Sequence, residues 1–220
     1  MRIQGTIGGG LFSRRSKSKA LIILWLTAVC CLEAALVFHM STPAARSSAI
    51  YNFPISAGRL HHPGRPTLVL FAHPLCPCST ASIEELSKLM SHINGRLDAY
   101  VFFLKPRGVQ SGWERSAAWY EASMIPGVAV MCDEQGKMAA KFRATTSGST
   151  YLYDQDGHLV FNGGITFARG HVGENEGSET ILATVLDKSS DRKCTNVFGC
   201  SLLDGALDSS KALMRANREE

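Results

Sequence analysis

From Ala20 to Met40 the chain carries one acid, Glu33, and no lysine or arginine. A helix needs about 20 such residues to cross a bilayer. Arg2, Arg14, Arg15, Lys17 and Lys19 precede this stretch without an acidic residue among them, and Arg46 is the first base beyond it. That asymmetry predicts a single-pass membrane protein with its N-terminus in the cytoplasm and its body on the periplasmic or extracytoplasmic side. Residues 20–40 are thus expected to meet the lipid bilayer as an uncleaved signal anchor. A cleaved signal peptide is the rival, with Pro43-Ala44-Ala45 as its small-residue site. The apolar stretch is longer than the usual leader core, which favours the anchor. Cys30 and Cys31 read as small apolar residues within the span, and Glu33 reaches toward the far interface.

The net charge of +4 resides in the same flank. Of 23 Lys and Arg, five fall in the first nineteen residues, leaving 18 against 19 acids in the rest. No basic stripe remains to track phosphates, so nucleic acid is not an expected partner. Residues 1–19 therefore form a cytoplasmic basic flank and 20–40 the span. Residues 41–65, rich in Ser, Gly, Pro and His, read as a tether. Residues 66–203 are the size of one domain, and 204–220 form a polar tail.

Within that domain Thr67–Ala72 (TLVLFA) has the continuous apolar texture of a buried strand. Ser79 or Thr80 is positioned to cap a helix whose Ala81, Ile83, Leu86, Leu89 and Met90 share one face. A second strand is expected over 99–104 (AYVFFL). Ser111 and Glu114 match a capping box for a helix reaching about Ala122. A third strand over 127–131, a short helix Lys137–Phe142, a hairpin of Thr150–Tyr153 with 159–161 about Asp154-Gln-Asp-Gly157, and a helix over 179–188 follow. This alternation predicts an α/β fold, a mixed sheet flanked by helices.

Seven cysteines constrain the chemistry. Setting aside the pair in the span leaves Cys76, Cys78, Cys132, Cys194 and Cys200, an odd set in a compartment where disulfides persist, so at least one thiol lacks an intrachain partner. Cys76-Pro77-Cys78 falls between the first strand and the first helix, where the helix N-terminus favours thiolate. His73 is placed to add a proton donor or positive charge. Cys194 and Cys200 form a second pair near the C-terminus, read either as a resolving pair or as a structural disulfide. Cys132, at the end of a strand, reads as a buried small hydrophobe.

The run FAHPLCPCS at a strand–helix junction, the turn Val130-Met-Cys-Asp-Glu-Gln-Gly136 and the hairpin YLYDQDGHLVFNGG resemble the thioredoxin-like superfamily, in particular its membrane-tethered TlpA-type and peroxiredoxin-like branches. The resemblance covers residues 66–188. It implies a thioredoxin-like sheet preceded here by one N-terminal transmembrane helix, and a thiol–disulfide oxidoreductase acting on a protein thiol or disulfide without a cofactor. In that reading Cys76 or Cys78 attacks, the other resolves, and Cys194 and Cys200 relay or store oxidising equivalents. The single residue between the two cysteines departs from the usual Cys-x-x-Cys, and a Cys76–Cys78 disulfide would close a small strained ring. The proline expected in cis before the hairpin is missing from Thr145-Thr-Ser-Gly-Ser149, and His73 stands where a peroxidatic motif would place threonine. These departures leave room for a non-enzymatic module binding copper or zinc through His73, Cys76 and Cys78, joined by Cys194 and Cys200. In the same fold the loop over 162–177 overhangs the reactive cysteines, making Arg169 and His171 candidates for tuning a thiol.

Overall fold

The computed structural model describes residues 10–45, 47–58, 60–93, 95–186 and 194–202. The first nine residues and the polar tail expected over 204–220 lie outside the described residues. The chain divides into two compact units, residues 1–41 and 42–220. The first unit contains α1 (Gly10–Ser41), whose segment Ser18–Ser41 has a mean hydropathy of 2.5 and is long and apolar enough to cross a membrane. Its apolar residues face outward all around: Leu21, Ile22, Ile23, Leu24, Trp25, Leu32, Leu36, Val37 and Phe38 are all exposed. A helix apolar on every side has no polar face to offer to water.

The second unit is built on five strands: β1 (Thr67–Ala72), β2 (Asp98–Lys105), β3 (Val128–Glu134), β4 (Thr150–Tyr153) and β5 (Leu159–Gly163). Their spatial order is β3-β2-β1-β4-β5. The pairs β1/β2 and β2/β3 are parallel, whereas β1/β4 and β4/β5 are antiparallel. All six residues of the central strand β1 are buried. The period of two sends Leu68, Leu70 and Ala72 to one face and Val69 and Phe71 to the other, so each face acquires its own core. On the first face lie α2 (Pro77–Ile93), α3 (Ala117–Ser123) and α5 (Glu176–Val185), contributing Ile83, Leu86, Ala118, Ala122 and Ile181. The second face is covered by α4 (Lys137–Phe142), whose Phe142 packs with Phe71, Tyr151 and Tyr153.

Three boundaries differ from those expected. Helix α2 begins at Pro77 rather than after a cap at Ser79 or Thr80; proline suits the first helical position because its fixed φ is helical and its missing N–H was unpaired there anyway. Ser111 and Glu114 do not open a helix: Gly112, at φ +83°, turns the chain away, and Ser116 caps α3 by accepting from the Trp119 amide at 3.4 Å. Asn175 caps α5 through the Ser178 amide at 2.8 Å, starting that helix before Glu179.

Of residues 41–65, read as a tether, the described ones from Thr42 onward belong to the second unit and pack on its sheet. The Ala44 amide donates to Val197 O at 2.8 Å, the Phe53 amide donates to Gly157 O at 2.8 Å, and Asn52 bridges to His158. The Phe53 ring sits edge-on to Phe142 and Tyr153, which extends the second core. His61 Nδ1 meets Thr67 Oγ1 at 2.9 Å and His62 Nδ1 meets Asp98 Oδ2 at 2.8 Å.

Candidate functional site

The site forms where β1 hands over to α2. The Cys76 amide donates to His73 O at 3.1 Å, the Ser79 amide donates to Cys76 O at 2.9 Å, and the His73 amide donates to Ser79 Oγ at 2.9 Å. These bonds wind residues 73–79 into a fixed turn with Cys76 immediately before the helix. Cys76 directly precedes α2, at the end of the helix that carries the positive pole of its dipole. Cys76 and Cys78 are 3% and 6% exposed.

Three segments distant in sequence close over this turn. Ser147, in the connection before β4, donates its hydroxyl to Cys76 Sγ at 3.3 Å. The strap 194–202 runs alongside the same connection through a bridge between Thr146 and Ser201, with the Ser147 amide donating to Cys200 O at 2.8 Å and the Cys200 amide donating to Ser147 Oγ at 3.0 Å. The strap fits because position 199 is glycine: a Cβ there would overlap the carbonyl and hydroxyl oxygens of Ser147. It delivers Cys200 Sγ to 2.7 Å from Cys76 Sγ. The third segment is the loop after β5, where Arg169 donates through its guanidinium to Gly199 O at 2.7 Å.

The environment sorts the thiols. Hydrogen bonds from Cys78, Cys200 and Ser147 overcome the opposing effect of burial and lower the Cys76 pKa to about 4. Cys78 is held protonated far above the ordinary thiol range, first because it donates to Cys76, then by burial and by the Cys76 charge. Burial, followed by the bond to Cys76, pushes Cys200 up to about 11, against the opposing pull of Arg169. Burial also lowers the His73 pKa, opposed by the Cys76 charge. The His73 ring stands edge-on to Trp113 at 5.8 Å, and its Nδ1 accepts from the Leu75 amide at 3.2 Å.

Among the cysteines, histidines and arginine singled out in the sequence, Cys76, Cys78, Cys200 and Arg169 come together, with His73 at the edge of the turn. His171 is exposed, hydrogen-bonds Arg169 O through Nδ1 at 2.7 Å and packs beside Phe167. Cys194 is exposed and bridges to Asn162 beside β5, lining a small cavity of about 140 Å³ with Ala44, Ser47 and Tyr151. Cys132 lies half-buried on β3, its pKa raised by burial. Ser147 was missed: it lies in Thr145-Thr-Ser-Gly-Ser149, the segment singled out only for lacking a proline. Cys76, Cys78 and Cys200 are the soft donors a metal would find in mutual contact through Cys76, and His73 retains Nε2. The group of three potential ligands that lie close together among the described residues, Asp154, Asp156 and His158, is at the hairpin turn instead.

The fold is thioredoxin-like: a mixed five-stranded sheet with helices on both faces and the paired cysteines at the junction of β1 and α2. A hypothetical protein from Sinorhizobium meliloti 1021 is similar in structure, at 17% identity, 74% coverage of this chain and 94% of that one, with a TM-score of 0.53. An uncharacterized conserved protein from Geobacillus kaustophilus is similar at 16% identity, 74% and 92% coverage, and a TM-score of 0.51. A secreted disulfide oxidoreductase from Mycobacterium tuberculosis is matched at 14% identity, 63% and 96% coverage, and a TM-score of 0.43. No protein-family model matches the sequence, and no curated protein matches it.

Proposed function

We propose that the chain is a membrane-anchored, extracytoplasmic thiol–disulfide oxidoreductase whose redox centre is Cys76 of the Cys76-Pro77-Cys78 motif. The observation that carries the reading is the Cys76 sulfur at the N-terminal end of α2, hydrogen-bonded by Ser147 and in contact with two further thiols. A thiolate so stabilised is both a nucleophile toward a disulfide and a good leaving group from one. Cys78 and Cys200 both touch it, and either can close a disulfide with it. The partner is a protein dithiol or disulfide, and the difference in potentials sets the direction of electron flow. Ser18–Ser41 of α1 anchors the chain in the bilayer, and the basic flank before it keeps the N-terminus cytoplasmic.

The test uses the full chain in detergent micelles with a peptide carrying one disulfide. Cys76→Ser is expected to abolish exchange, whereas Cys132→Ser retains it, because Cys132 sits on β3 away from the three thiols. Exchange preserved in Cys76→Ser would overturn the reading. The Cys76 and Cys200 sulfurs, 2.7 Å apart, also favour a second reading, a Cu(I) or zinc module that these soft donors would hold with Cys78. Stoichiometric metal in chain purified under reducing conditions, together with inert Cys76 toward disulfides, would select it.

A further inference from the structure

We infer that Cys200, not a cysteine of the Cys-Pro-Cys motif, is the sulfur that meets the partner, and that Cys76 is the buried leaving group behind it. The inference rests on the exchange reading above and adds which atom is attacked. The Cys76 and Cys200 sulfurs are 2.7 Å apart, so the fold already aligns them for a bond across 124 residues of chain. Cys78 is separated from Cys76 by a single residue, and a bond between those two would strain the ring. Exposure divides the roles: Cys76 is 3% exposed, while Cys200 lies on the solvent side and is exposed. A partner approaching an oxidised Cys76–Cys200 pair therefore reaches Cys200 first.

The surroundings fit attack at that atom. The Arg169 guanidinium holds the strap through Gly199 O, and its buried Nε has no hydrogen-bond partner among the described residues. Its positive charge beside Cys200 draws an incoming thiolate. Behind Cys200, the end of α2, Ser147 and Cys78 stabilise the charge that develops on Cys76 as it leaves. A partner thiolate attacks Cys200 Sγ, the Cys76–Cys200 bond breaks, a partner–Cys200 disulfide forms and Cys76 departs with the electron pair as thiolate. The partner's second thiolate then attacks the partner sulfur of that mixed disulfide and releases Cys200, which takes a proton from solvent. The partner dithiol is oxidised to a disulfide by two electrons, and the Cys76–Cys200 pair is reduced. Run backward, the same steps reduce a partner disulfide.

The experiment locates the adduct of a small thiol. Full chain in detergent micelles is oxidised, treated with limiting glutathione and quenched in acid, and its mixed disulfides are placed by fragment-ion mapping. Cys78→Ser is carried in parallel, because it leaves Cys200 as the contacting partner of Cys76. Glutathione is expected on Cys200 in about tenfold excess over Cys76 in both proteins, with Cys76 freed as a thiol. Adduct chiefly on Cys76, or an oxidised chain that links Cys76 to Cys78 and leaves Cys200 free, overturns the inference while exchange at Cys76 stands. A chain in which Cys76 enters no disulfide on oxidation overturns both the inference and the exchange reading.

Discussion

A nearly buried thiolate is costly unless donors replace the water it loses. Cys76 obtains those donors from the neighbouring thiols and the Ser147 hydroxyl, at the N-terminal end of α2. His73, lowered by burial and accepting at Nδ1, acts through the turn rather than through a positive charge. The Cys76 pKa falls from an ordinary 9.0 to about 4, so the folded reduced state prefers the deprotonated form more strongly than the unfolded chain does. The stability this adds is fully present above pH 9, shrinks as the pH falls and is gone below about 4. The thiolate absorbance of the reduced chain is therefore expected to step near pH 4, with the step missing in Cys76→Ser and retained in His73→Asn. A single step near pH 9 in the natural chain would contradict the assigned environment. Cys76 and Cys78 were legible as a centre because they are adjacent in sequence at a strand–helix junction. Cys200 was readable as one of two distal cysteines able to exchange with that centre, while Ser147 was not, because it lies 71 residues away and only the tertiary fold brings it to Cys76.

At the scale of elements, Glu85 on the inner side of α2 fastens the loop that carries Arg169. It is 4% exposed and accepts from the Gly173 amide at 2.9 Å, Asn175 Nδ2 at 3.0 Å and Lys88 Nζ at 3.0 Å. Glu85→Ala removes the acceptor of the half-buried Gly173 amide and one of the two acceptors of buried Asn175 Nδ2, an expected loss of about 1–3 kcal/mol. The same substitution should speed hydrogen exchange at the Gly173 amide, and an unchanged exchange rate would show that other contacts hold the loop. The strap has its own sensitive point at Gly199, where any side chain runs into Ser147. Gly199→Ala is expected to move Cys200 off Cys76 and cut the yield of the Cys76–Cys200 crosslink by roughly tenfold, because a disulfide tolerates little displacement of its ends. An undiminished yield would mean that the strap has another seat. Strand β1 and the helix face of Ile83, Leu86 and Leu89 were readable from periodicity. The start of α3 was not, because the apparent capping box at Ser111 ignored the left-handed Gly112 that follows it.

The whole molecule joins two different solutions to the problem of apolar surface. In the first unit, α1 leaves its apolar side chains exposed on every side, as the proposed bilayer span requires. In the second, a central strand buried on both faces lets helices pack on either side, and this holds the end of β1 and the start of α2 rigid enough to aim Cys76. The order of strands and helices was visible in the alternation of patterns, whereas the packing of residues 42–65 on the domain was not. That segment is polar in composition, and its attachment combines main-chain bonds, the Phe53 ring, Ala49, Ala57 and Leu60 packed on the second core, and the side-chain bonds of His61 and His62. Central to the account is that Cys76 cycles between thiol and disulfide instead of serving as a staple or a fixed ligand. The most direct measurement equilibrates the full chain in detergent with glutathione buffers from about −120 to −300 mV and reads the state of Cys76 by mass spectrometry. Cys76 is expected to pass from disulfide to thiol within that range. A Cys76 that remains bonded throughout, or remains a free thiol throughout, would contradict the account.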